Sequence, residues 1–133
     1  MVKKIKHIVN KHIKSETYAL AGLRSAFFSE LNLRIEIFIA IIVIALGFVL
    51  KLDLFEWVLL INAVFIVIIT ELLNTALEYL ADGLTKDFNN FIKQSKDIGA
   101  AAVWVASLFA IILAVIIAIH YLGRTNICFL SML

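Results

Sequence analysis

Residues 57–82 read WVLLINAVFIVIITELLNTALEYLAD. Positions 57–70 carry no charge, and then Glu71, Asn74, Glu78 and Asp82 arrive in steps of three, four and four. At about 100° per residue these four fall within roughly 80° of arc, which is one face of one helix. An apolar run that turns polar along a single face predicts a helix that crosses a membrane and carries its acids at the far end. Glu71 lies 14 residues beyond Trp57, or ~21 Å of helix, so it sits inside or at the edge of the ~30 Å hydrocarbon core. A charge at that depth costs at least about 3 kcal/mol unless it is paired or wetted.

The rest of the chain agrees with a membrane reading. Of 133 residues, 63% are apolar and the mean hydropathy is +1.03, above the composition of a soluble domain. There is no proline to break a helix. Residues 33–50 carry Glu36 near their start and are then uncharged to Leu50, just enough to cross. The polar turn KLDLFE follows at 51–56, and a further apolar segment begins near Ser95. At the N-terminus, KKIKHIVNKHIKSE (3–16) keeps placing lysines among apolar residues. With Ile5, Ile8, Val9, Ile13, Leu20, Leu23 and Phe27 at roughly helical spacing, it predicts an amphipathic surface helix rather than a cleaved signal. The expected fold is an all-α integral membrane domain. It has a surface helix at 4–30, spans at 33–50, 55–81 and 96–122, and a tail at 123–133.

Charge sets the orientation. Residues 1–34 hold seven basic side chains: Lys3, Lys4, Lys6, Lys11, Lys14, Arg24 and Arg34. The first turn holds only Lys51, the second loop holds Lys86 and Lys93 with Lys96 at its end, and Arg124 alone follows the last span. The positive-inside rule then puts the N-terminus and second loop in the cytoplasm and the C-terminus outside.

Orientation brings the polar residues to one depth. Glu30 precedes the first span, Glu71 and Glu78 end the second, and Lys96 and Asp97 begin the third. One reading is a polar seam that holds helices together or reaches toward the headgroups. A site for a divalent cation and a general base fits the pattern better. Adjacent carboxylates repel, which recruits a cation, and Mg²⁺ is commonly held by one or two carboxylates plus substrate phosphates. Glu30 and Glu78 are the candidate metal ligands, and Glu71 the candidate base for a lipid headgroup proton.

Other features are read as structural. Ala102, Ala106, Ala110, Ala114 and Ala118 recur every four residues after Gly99, a small-residue stripe that predicts close helix packing. Cys128 is the only cysteine, and His7, His12 and His120 do not cluster in sequence, so no metal motif is legible. No phosphate loop of the GxxxxGK[ST] type and no protein-kinase HRD or DFG element occurs. No nucleic-acid partner is expected.

ELLNTALEYLAD (71–82) followed by SKDIGAAAV (95–103), with ALAGLRSAFFSELNLRIE (19–36) upstream, resembles the prokaryotic diacylglycerol kinase family across roughly residues 11–122. The resemblance implies a homotrimer of three-span subunits in the bacterial inner membrane, transferring the ATP γ-phosphate to a lipid hydroxyl with Mg²⁺. It implies Glu71 as general base, Glu30 and Glu78 as metal-linked acids, and Asn74, Lys96 and Asp97 as further polar site residues. Tyr18, Asp87 and Asn89 fall where the family contacts nucleotide. Lys11 falls where some members have arginine, and lysine lacks the bidentate phosphate contact of arginine.

The family divides by acceptor, diacylglycerol or undecaprenol. IGAAAV (98–103) and RIE (34–36) resemble the diacylglycerol branch, whereas FEW (55–57) resembles the other; the residues favour diacylglycerol. A reading of another class, a small transporter or channel subunit, would place its key acid nearer mid-membrane, reachable from both sides.

Overall fold

A computed structural model describes residues 2–84, 87 and 89–130, with side chains described at position 6 and, within those ranges, from 11 to 125. The side chains of Lys3, Lys4, His7 and Cys128, together with Lys86 and the tail positions 131–133, lie outside the described residues. Four helices follow in order: α1 (Val2–Ser29), α2 (Leu31–Val49), α3 (Leu54–Leu84) and α4 (Asn90–Leu130). α2, α3 and α4 are each long and apolar enough to cross a membrane. Their outward side chains include Phe38, Ile41, Phe65, Trp104, Val105 and Ile111, a surface suited to hydrocarbon rather than water.

Each break between helices has a local cause. α1 and α2 are separated by Glu30 alone, whose backbone is extended (φ −99°, ψ 119°). α2 ends in a Schellman turn: Lys51 N–H donates to the Phe48 carbonyl (3.2 Å) and Leu52 N–H to the Gly47 carbonyl (3.1 Å). Lys51 takes the left-handed conformation this turn requires, at φ 53°. Gly47 also admits the neighbouring helix, because a β-carbon there would press on the Trp57 ring at 2.9 Å.

α3 opens on a capping box. Asp53 Oδ1 accepts from Glu56 N–H (2.9 Å), and Glu56 Oε2 accepts from Asp53 N–H (2.8 Å). α4 opens on Asn89, whose Oδ1 accepts from the N–H groups of Phe91 (2.8 Å) and Ile92 (3.4 Å). This cap starts α4 at Asn90, ahead of the expected 96, and the helix runs on through Leu130 without a breaking residue. With 31 residues in α3 and 41 in α4, both outreach a ~30 Å core.

α3 and α4 form the most extensive pairing, α2 packs on α3, and α1 touches the bundle only lightly. The interior is built from Leu33 and Ala40 of α2, Leu60, Ala63 and Ala81 of α3, Ala106 and Leu113 of α4, and Ala26 of α1. The alanine stripe is only partly used here. Ala106 is buried and Ala110 half-buried, whereas Ala102, Ala114 and Ala118 are exposed. A strict four-residue repeat drifts by about 40° per step around a helix. The covered face of α4 instead follows Gly99, Val103, Ala106, Ala110, Leu113 and Ile117, whose alternating three- and four-residue steps stay in register with a neighbouring helix.

Candidate functional site

The C-terminal half of α3 carries the candidate site. Glu71, Asn74 and Thr75 are 2%, 8% and 4% exposed, although all three are polar. Glu71 lies within electrostatic reach of Glu30, at the α1–α2 break, and of Glu78, two turns further along α3. Glu36 of α2 is within reach of Glu71 as well. Lys96 of α4 bridges to Asp82 of α3 (Nζ to Oδ1, 2.9 Å) and feels Glu78 and Glu30. The fold thus brings Glu30, Glu71, Asn74, Glu78 and Lys96 to one end of the bundle.

Three oxygens in this region are buried with no hydrogen-bond partner in the protein: Glu36 Oε2, Asn74 Oδ1 and Thr75 Oγ1. Leaving one such group unmade costs about 1–3 kcal/mol, so three together mark polar groups that the single chain does not satisfy by itself. Asn74 gives its amide N–H to Glu78 Oε1 (3.1 Å), which turns its carbonyl oxygen toward Gly99. A β-carbon at Gly99 would collide with that oxygen. Glycine at this one position lets α4 pass close to the polar face of α3.

Two hollows flank these residues. One, of about 370 Å³, lies between α1 and α3 and is lined by Gly22, Ala26, Thr75 and Tyr79 among others. The second, of about 330 Å³, runs between α2, α3 and α4 from Glu36, Ile68 and Ser107 to Val43, Leu60 and Ala114, and is almost wholly apolar. Its inner end at Ile68 is one turn from Glu71.

The remaining sequence candidates are placed as follows. Asp97 is held by Lys93, one turn earlier on α4 (2.6 Å). Asn89 spends its side-chain oxygen on the α4 cap. Asp87 lies exposed in the loop, and Lys11 and Tyr18 are exposed on α1. Sequence reading did not single out Glu36 or Thr75. Their signal was legible in part, since each is a polar residue within a helix otherwise able to span. It also missed a cluster at the opposite end of the bundle, formed by Asp53, Glu56, His120 and Arg124.

Three helices able to span a membrane, taken with the family and relatives that follow, make this a bacterial membrane kinase. The chain matches the prokaryotic diacylglycerol kinase family over residues 17–118 and belongs to it. It is 38% identical over 100 residues to the diacylglycerol kinase of Haemophilus influenzae, covering 75% of this chain and 81% of that protein. Identity to the diacylglycerol kinase of Escherichia coli strain K12 is 34% over 100 residues, covering 75% and 82%. The undecaprenol kinase of Bacillus subtilis strain 168 is 29% identical over 109 residues, covering 82% and 89%.

Proposed function

We propose that the protein transfers the γ-phosphate of ATP to the hydroxyl of diacylglycerol, giving phosphatidic acid, at the inner end of α3. The observation that carries this reading is the convergence of a buried carboxylate, Glu71, with two further acids, a lysine and unpartnered oxygens at one end of the bundle.

The donor set suits Mg²⁺. Glu30 and Glu78 offer hard carboxylate oxygens, and the orphaned Asn74 Oδ1 belongs to a side chain hydrogen-bonded to Glu78. When bound, the ion would neutralise charge on the transferring phosphate. Glu71 would hold the acceptor hydroxyl and take its proton as that oxygen bonds to phosphorus and ADP departs. Lys96 would offset charge on the phosphate oxygens, and positioning would supply most of the acceleration. Tyr18, Lys11, Asp87, Asn89 and Asp97 are the proposed nucleotide-side contacts. The apolar hollow bordered by Glu36 and Ile68 would take an acyl chain of the acceptor, with Glu71 one turn of α3 beyond Ile68.

Undecaprenol is the second acceptor reading, supported by similarity to the Bacillus subtilis enzyme. The FEW likeness adds little to it. Glu56 is the third residue of α3 and closes a capping box with Asp53 at the other end of that helix, so local folding accounts for it. In this proposal α1 lies on the cytoplasmic surface of the inner membrane, with Ile13, Leu20 and Leu23, all exposed in the single chain, turned into lipid. The N-terminus is cytoplasmic, the C-terminus is outside, and the working unit is a homotrimer. The test is purified protein with labelled ATP and Mg²⁺, given diacylglycerol and undecaprenol side by side. Label in phosphatidic acid supports the reading; label only in the polyprenyl product moves the assignment to the second acceptor; no labelled lipid rejects both.

A further inference from the structure

Asp53 and Glu56 begin α3, and His120 and Arg124 lie near the end of α4, some 15 residues of α3 away from Glu71. The capping box fixes both carboxylates by one oxygen each: Asp53 Oδ1 and Glu56 Oε2 hold backbone N–H groups. Their other oxygens turn to a single imidazole. Glu56 Oε1 is 3.1 Å and Asp53 Oδ2 3.7 Å from His120 Nδ1. One ligand atom from each of the three residues lies within 4.8 Å of the others. Ligands sharing an ion at about 2.1 Å stand about 3.0–3.4 Å apart, so these separations are close to those of a common coordination shell.

Charge points the same way. Arg124 meets Glu56 Oε2 (3.0 Å) and approaches Asp53 Oδ2 (3.7 Å), which offsets one of the two carboxylates and leaves the second to a proton on the imidazole or to a cation held beside it. Glu56 is fully buried, so its carboxylate depends on the groups gathered around it, Asp53 N–H, Arg124 and His120. The imidazole and Asp53 remain partly open to solvent, at 43% and 33% side-chain exposure, so an ion can reach them. We infer that Asp53 Oδ2, Glu56 Oε1 and His120 Nδ1 bind a divalent transition-metal ion that ties the start of α3 to the end of α4. A donor set containing imidazole favours Zn²⁺, Co²⁺ or Ni²⁺ over Mg²⁺ or Ca²⁺. The site is separate from the proposed kinase centre, and its binding can be read without any lipid assay.

The test uses the purified full-length protein in detergent, with excess Mg²⁺ present to occupy oxygen-only sites. Co²⁺ is titrated while its visible absorption is followed, and Zn²⁺ is added in thermal melts. The expected result is saturation at one Co²⁺ per chain and a higher Tm with Zn²⁺. His120→Ala should weaken binding by at least about tenfold. Asp53→Asn, which keeps an oxygen able to cap α3, should do the same and serves as the folded control variant. Absence of saturable Co²⁺ binding in the wild type overturns the inference, as does unchanged affinity in both variants.

Discussion

The Asn74 carbonyl oxygen faces Gly99 across the α3–α4 contact, so closely that no β-carbon fits between them. The same oxygen has no hydrogen-bond partner. Packing and chemistry therefore meet at one point: the small residue on α4 exists because a polar residue on α3 must stay polar there.

Gly99→Ala is expected to destabilise the protein by about 1–3 kcal/mol, the usual cost of forcing extra volume into a packed contact. It should also lower phosphate transfer by displacing Asn74. Unfolding in a denaturing detergent series and a steady-state transfer assay read the two effects separately.

Asn74→Leu separates folding from function. It removes an unpartnered buried oxygen, which is favourable, and a hydrogen bond to the Glu78 carboxylate, which is not. Each term is worth about 1–3 kcal/mol, so net stability should move by less than about 1 kcal/mol. Transfer should nevertheless fall at least about tenfold if that oxygen serves the bound phosphate–metal assembly.

Lys96 bridges to Asp82 in a largely solvated pair. Such pairs contribute about 0–1 kcal/mol. Lys96→Gln should therefore leave the unfolding midpoint nearly unchanged while lowering transfer by about 100-fold, the scale of losing one charge-stabilising group at a reacting centre. Kinetics alone would not distinguish this from misfolding; the paired stability measurement does.

Glu56→Ala should behave in the opposite sense. Loss of the capping box and of the buried contacts to Arg124 and His120 predicts destabilisation of about 3–5 kcal/mol. Transfer per folded molecule should be unaffected, because Glu56 sits at the other end of α3. A thermal melt beside an assay normalised to folded protein checks both halves.

The helices and the inner polar face were legible because their causes are local in sequence. Helical spacing alone aligned Glu71, Asn74, Glu78 and Asp82, and uncharged runs marked α2 and α3. The early start of α4 was hidden, because the Asn89 cap precedes a polar stretch that resembles loop. The alanine stripe packs within the chain through Ala106 and Ala110, and leaves Ala102, Ala114 and Ala118 on the outer surface of the single chain. The outer cluster was not readable at all. His120 and Arg124 stand 64 and 68 positions from Glu56, and only the antiparallel pairing of α3 and α4 joins them. Glu36 was visible as an acid near the start of a span, but its buried, unpartnered oxygen depends on how α2 sits against α3.

The account rests on Glu71 as the group that takes the acceptor proton. The most direct measurement compares wild-type protein with Glu71→Gln, both shown to be folded by the same unfolding midpoint, in a labelled-ATP assay with Mg²⁺ and diacylglycerol. The account predicts labelled phosphatidic acid from the wild type and a loss of at least about 100-fold in the variant, within the range general-base catalysis contributes. Near wild-type turnover by folded Glu71→Gln would contradict it.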